Sequence, residues 1–321
     1  MIEVVASLFS AALNAFKLKE HIARLLGRAW RRERTGYGAR VADLRGQVAD
    51  ALNWQSQWTD RPYEYSDGMS ARLFADTFGF KDLDAVSEIE AGRRPPSRDD
   101  LDRFAEQTGA SRRHLVDGSE PIWAPLVAEA DDPLDALEFI DDDVRTVTAV
   151  RVDAPDGEVA LIVDRGDWRT ARVVRLRGFH FGSRVGGGGR ARQESLFWLR
   201  AVLDPEMLVP EVCATRVEAI RCKVGLADQR VDLWGRVTDR QTFEALVLGA
   251  LHPFTFLDRA GLRDDHWFFD FVDLLHTCMA APGYDQKFGE QFAIVQRNVR
   301  QSLGLKDPPS ELGPQQRPAA A

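Results

Sequence analysis

The chain has 321 residues, 44% apolar and 29% charged, which is an ordinary globular composition and excludes a collagen-like, wholly disordered or integral-membrane chain. Its formal net charge is −8, so binding to nucleic acid or anionic lipid needs a local basic face. At roughly 150 residues per domain the length accommodates about two domains.

Residues 1–54 read as an N-terminal helical and basic segment. Ile2 to Phe16 is mostly apolar but is interrupted by Glu3, Ser7, Ser10 and Asn14. It falls short of the ~20 apolar residues of a membrane span. A secretory signal carries its cations before the apolar run, whereas Lys17, Lys19, Arg24, Arg28, Arg31, Arg32 and Arg34 follow it. The expectation is a cytoplasmic protein with no membrane partner. Cys213, Cys222 and Cys278 fit that compartment as reduced thiols, forming neither an even framework nor a Cys-x-x-Cys pair. From Val4 to Leu26 the apolar positions have broadly helical spacing. Three readings stand: a stripe packed on the protein or on a second copy, a membrane-surface helix, and a phosphate-contacting arm. Gly36-Tyr37-Gly38 reads as a break before a helix over Val41–Trp54.

Residues 55–122 form the segment with the clearest local signals. Ser70–Gly79 predicts a short amphipathic helix ended by glycine, and Asp84 to Ala91 a second, closed by Gly92. Pro95-Pro96 stops the chain, and Ser97 caps a third helix with Asp99 and Asp100 in its first turn. Leu101, Phe104 and Ala105 give that helix its buried stripe, and Gly109 ends it. Ser111 caps a last short helix before Asp117-Gly118.

Residues 123–144 read as an acidic linker, with Glu129, Asp131, Asp132, Asp135 and Asp141-Asp142-Asp143. Residues 145–306 then predict an α+β domain for partner sensing or oligomerisation. Arg145–Val152, Val159–Asp164 and Ala171–Leu176 are rich in Val, Ile and Thr and suggest an antiparallel meander. Gly186–Gly189 reads as a flexible loop and Glu194–Leu203 as a helix. Arg216–Val224 with Arg230–Val237 reads as a strand pair, and Asp239–Leu251, Asp264–Ala280 and Gln286–Leu303 as helices. The tail 307–321, with Pro308, Pro309, Pro314 and Pro318, is expected to be disordered.

The stretch Leu73-Phe74-Ala75, Phe78-Gly79-Phe80 and Val86-Ser87-Glu88-Ile89-Glu90-Ala91-Gly92-Arg93-Arg94-Pro95-Pro96-Ser97 resembles the XRE (Cro/lambda-repressor-like) helix-turn-helix family. Leu101, Phe104-Ala105, Gly109, Ser111 and Leu115 complete the likeness, which covers about 70–118, a sixth of the chain. The resemblance implies a mainly α domain that sets the helix over Asp84–Glu90 in the major groove of double-stranded DNA, often as a homodimer. It puts Arg72, Arg93 and Arg94 at phosphates, with Lys81 before the helix and Asp84, Ala85 and Ser87 at base edges. Charge argues the other way. Lys81–Glu90 carries Asp82, Asp84, Glu88 and Glu90 against one lysine, so phosphate contact depends on flanking arginines, including the stretch Arg24 to Arg45.

Other constellations point to no chemistry. His266, Asp270, Asp273 and Thr277 share a helical stripe, but Trp267, Phe268, Phe271, Val272, Leu275 and Met279 mark a core-facing helix whose wetted side they occupy. No serine elbow, Cys–His pair or carboxylate pair stands out, so no catalytic residue, metal or cofactor is expected. The reading is a DNA-binding transcriptional regulator with a C-terminal sensing domain. The alternative is a protein–protein adaptor or antitoxin-like factor whose helix-turn-helix no longer touches DNA.

Overall fold

The computed structural model describes residues 36–56, 68–141, 143–154, 157–181, 187–204, 211–226 and 230–259. The expected N-terminal stripe, the helices over Asp264–Ala280 and Gln286–Leu303 and the tail 307–321 lie outside them. Among the described residues no helix is long and apolar enough to cross a membrane.

The chain divides into two compact units, and the first is made of two separate stretches: residues up to Leu126, and Leu248–Arg259. This helical unit contains α1 (Gly36–Ser56), α2 (Ala71–Thr77), α3 (Ala85–Glu90), α4 (Arg98–Thr108) and α5 (Arg112–Asp117). The returning stretch adds a short helix over Pro253–Arg259. The four short helices of 70–118 lie where the glycines and caps predict them. Ser70 accepts from the Leu73 N–H, and Ser111 from the His114 N–H. Ser97 and Asp100 form a reciprocal capping box. Gly79, Gly92, Gly109 and Gly118 supply the left-handed turns that close these helices. Phe74, Phe78, Phe80 and Phe104 cluster between them with ring centroids 4.5–6.5 Å apart.

Gly36, Tyr37 and Gly38 are themselves helical, so the helix expected over Val41–Trp54 spans Gly36–Ser56 in α1. A Cβ on Gly38 would lie 2.7 Å from the Glu90 carbonyl oxygen and 2.8 Å from that of Ile89. Glycine there serves a close approach of α1 to the end of α3.

The second unit, Val127–Val247 with residues from Ala260 on, holds a five-stranded mixed sheet. Its strands are β1 (Val127–Ala130), β2 (Thr146–Val152), β3 (Gly157–Asp164), β4 (Arg172–Phe181) and β5 (Asp232–Thr238), in the order β1-β4-β3-β2-β5. The expected meander is present as β2-β3-β4, antiparallel throughout. Both outer strands run parallel to their neighbours, β1 to β4 and β5 to β2, which makes the sheet mixed. Parallel neighbours need long crossovers. The chain reaches β5, beside β2, by a connection from β4 that carries α6 (Gly187–Leu203) and α7 (Glu211–Val224). After β5 comes α8 (Arg240–Val247).

Three sequence expectations change here. Arg216–Val224 belongs to α7 and is not a strand: Val217, Ile220 and Val224 recur at helical spacing and pack on the core. Gly187, Gly188 and Gly189 are the first turn of α6, not a loop. The acidic stretch 123–144 is not an open linker. It carries β1 and a 3-10 turn over Pro133–Phe139, in which Asp132 and Asp135 form a capping box and Ala136, Leu137 and Ile140 are buried. Asp141 takes three hydrogen bonds from the guanidinium of Arg165, which also donates to the Phe139 and Thr170 carbonyls. On the covered sheet face Val147, Ala149, Leu161, Val163, Val174 and Leu176 meet Leu196, Leu199 and Val202 of α6 in one apolar core.

Candidate nucleic-acid interface

The site expected for DNA contact is the run from α2 to the residues just after α3. Phe74 and Ala75 turn α2 inward, leaving Arg72, Leu73 and Asp76 exposed. Gly79 reverses the chain, and the Phe80 N–H returns to the Ala75 carbonyl at 2.8 Å. Arg103 of α4 donates to the Gly79 carbonyl at 2.6 Å, fixing the turn. Lys81 and Asp82 follow on the surface, and the Asp82 carboxylate accepts the Asp84 N–H at 3.0 Å.

In α3 the buried stripe is Ala85, Val86 and Ile89, leaving Ser87 and Glu88 facing outward. Ala85 is 1% exposed, so it is not available to a base edge as the sequence suggested. A six-residue helix offers too few periods to fix which way alanine faces. Ser87 donates its hydroxyl to the Asp84 carbonyl at 2.8 Å, leaving its oxygen only as an acceptor toward a partner. Asp84 itself is exposed.

The charges of this run are arranged differently from their order in sequence. Arg45 of α1 grips Glu90 with two bonds, Nε–Oε1 at 2.7 Å and an Nη–Oε2 contact at 3.0 Å, and also donates to the Met69 carbonyl. Arg94 pairs with Asp100 at 3.3 Å and Glu88 at 3.8 Å. Two of the four carboxylates that made α3 look repulsive are therefore answered by arginines.

The remaining cations sort cleanly. Arg98 and Arg112 pair with Asp102, and Arg113 with Glu120. Arg40 donates to the carbonyls of Leu115 at 3.3 Å and Val116 at 2.9 Å. Burial draws the Arg40 pKa below its ordinary value, and the charge of Asp117 offsets part of that pull. Arg40 and Arg45, read from sequence as part of a phosphate-contacting stretch, are thus occupied inside the unit; Arg24 to Arg34 lie outside the described residues. Across 36–56 and 68–126 every Lys or Arg has a partner except three: Arg72, Lys81 and Arg93. All three are exposed.

The hold of Arg45 on Glu90, and the close approach at Gly38, escaped the sequence reading. The partners lie 45 residues apart for Arg45, and no local pattern connects them. Among the described residues no group of three His, Cys, Asp or Glu side chains is arranged to hold a metal ion. Comparison with known protein families, curated proteins and solved structures finds no match.

Proposed function

We propose that the helical unit binds double-stranded DNA through α3 and its flanks, as a transcriptional regulator of the XRE helix-turn-helix type. The sheet unit then serves sensing or oligomerisation, and the regulator acts as a homodimer. One observation carries the reading: the only cations of the described helical segments 36–56 and 68–126 left without a protein partner are Arg72, Lys81 and Arg93, at α2 and on either side of α3. A cation held in an ion pair gives up that pair to reach a phosphate; these three do not. Neutralisation of Glu88 and Glu90 by Arg94 and Arg45 removes half of the like charge that opposed the approach.

The roles divide by chemistry. Arg72, Lys81 and Arg93 contact phosphates, which positions without reading sequence. Asp84 and Ser87 present acceptors, which suit the exocyclic amino groups of cytosine or adenine in the major groove. Arg94 acts indirectly, paired with Glu88 of α3 and Asp100 of α4.

Retention on mixed double-stranded fragments across a salt series tests this. Wild type should be retained at low ionic strength, and Arg93→Ala should weaken all sequences alike, flattening the log-affinity against log-salt slope by about one. Absence of retention at any salt overturns the reading. The adaptor reading then takes its place, favoured by the exposed Leu73 and Val116 and the free carboxylate of Asp84.

A further inference from the structure

The chain leaves the helical unit after Leu126 and returns to it at Leu248, with residues 127–247 in between. The two crossings run side by side. The Trp123 N–H donates to the Gly249 carbonyl at 2.7 Å. Gly249 has φ +73°, and a Cβ on it would lie 2.7 Å from the Ala124 nitrogen, so the approach depends on glycine twice over.

Behind this neck, the Gln47 side chain of α1 gathers both crossings. Its Oε1 accepts from the Trp123 indole N–H at 2.7 Å and from the His252 N–H at 2.9 Å. Its Nε2 donates to the Ala250 carbonyl at 3.1 Å, and its own carbonyl accepts from the Thr255 hydroxyl at 3.1 Å. Gln47 is 2% exposed, and Trp123, His252 and Thr255 are wholly buried. A buried amide satisfied on both atoms fixes one arrangement and penalises any loss of its partners.

We propose that Gln47, Trp123 and residues 248–259 form a latch through which the folded state of the sheet unit controls the helical unit. While 127–247 is folded, its two ends are held at the neck and 248–259 is delivered to α1. Once it loosens, the same stretch becomes a long flexible loop, and the effective concentration of 248–259 at α1 falls. Any ligand that binds only the folded sheet unit stabilises it by mass action, and the latch passes that gain to α1. Arg45, two residues before Gln47, holds Glu90, so α1 hands the effect on to α3. The coupling needs no DNA; its use to regulate α3 rests on the function proposed above.

Hydrogen exchange of the full chain, read by mass spectrometry, tests the latch. Leu161→Ala removes a fully buried side chain from β3, within the sheet unit. Exchange over 36–56 and 248–259 should then rise about tenfold or more, together with that of β2, β3 and β4. Leu161→Val serves in its place if the alanine variant does not fold. Gln47→Leu should speed exchange over 248–259 directly and, the coupling being reciprocal, speed exchange of the strands by a smaller factor or the same one. Faster exchange confined to the strands in the Leu161 variant overturns the latch, as does unchanged 248–259 exchange in Gln47→Leu. DNA retention of wild type, measured in parallel, keeps the two questions apart: coupled exchange without retention leaves the latch standing and removes only the DNA reading.

Discussion

The helical unit and the sheet unit each owe their internal cohesion to different kinds of contact. Helices of six to eleven residues, as α2 to α5 are, are too short to persist alone in water. Their orientation is set by a few polar side chains acting across long stretches of sequence, Arg45 on Glu90 and Gln47 on Trp123 and His252. The sheet unit is dominated by ladders and apolar volume: β3 is buried along nearly its whole length, and Val, Leu, Ile, Ala and aromatic side chains pack around it, with Asp164, Asp204, Arg221 and Arg236 the charged residues buried beside them. The contrast teaches where sensitivity lies. In the sheet, cost should follow the volume removed; among the short helices, it should follow the loss of a partner even when volume is kept.

The largest effect is expected from volume, and it belongs to both units. Phe104→Ala and Leu161→Ala remove fully buried side chains and should cost about 3–5 and 2–5 kcal/mol in urea unfolding. A near-isosteric change then separates the units. Glu90→Gln keeps shape but discharges the partner of Arg45, a pair whose side chains are only 24% and 14% exposed, and should cost about 1–3 kcal/mol. Leu161→Met, equally conservative in the sheet, should cost under about 1.5 kcal/mol. A double-mutant cycle with Arg45→Met and Glu90→Gln should return a coupling of at least about 0.5 kcal/mol. Additive losses would mean that Arg45 and Glu90 do not act as a pair, and the contrast would lose its main support.

The smallest effect sharpens the comparison at the surface of the sheet unit. Hydrogen bonding from Arg165 holds the Asp141 carboxyl below its ordinary range, against a smaller opposing effect of burial. A depressed carboxylate adds stability above its unfolded pKa, about 3.9, and loses it as pH falls through the lower folded value. Asp141 is 58% exposed, so solvent screening limits the contribution to about 0.5 kcal/mol or less. Asp141→Asn should therefore destabilise slightly at pH 6, and the difference from wild type should shrink by pH 3. Equal destabilisation at both values would show that Asp141 acts by shape and not by charge.

What the sequence disclosed follows the range of each interaction. Ser70, Ser97 and Ser111 cap within three residues, and Gly79, Gly92, Gly109 and Gly118 turn the chain on the spot, so α2 to α5 were readable from local spacing. The meander was readable because β2, β3 and β4 follow one another with short connections. β1 was not. Its four residues pair with Val173–Leu176, and the surrounding aspartates read as solvated until their capping bonds are seen. At the candidate interface, Arg93 stood out by its position after Gly92, whereas the engagement of Arg40 and Arg45 depends on carbonyls and a carboxylate 24 to 76 residues away. Free and engaged cations look alike in sequence; only the fold tells them apart.

The return of the chain at Leu248 bears on how such a protein can be cut and recombined. A gene fragment ending at Leu126 encodes α1 to α5 but omits His252, Phe254 and Leu257, all buried within the helical unit. The helical unit is therefore no portable cassette with a single border. Exchanging the sheet unit for another requires two breakpoints in register, one on each side of the Trp123–Gly249 contact, and an insert whose own termini lie as close together. Recombination at one breakpoint strips α1 of Ala250, His252 and Thr255, and leaves the buried Gln47 with only Asp43 and Trp123 of its side-chain partners.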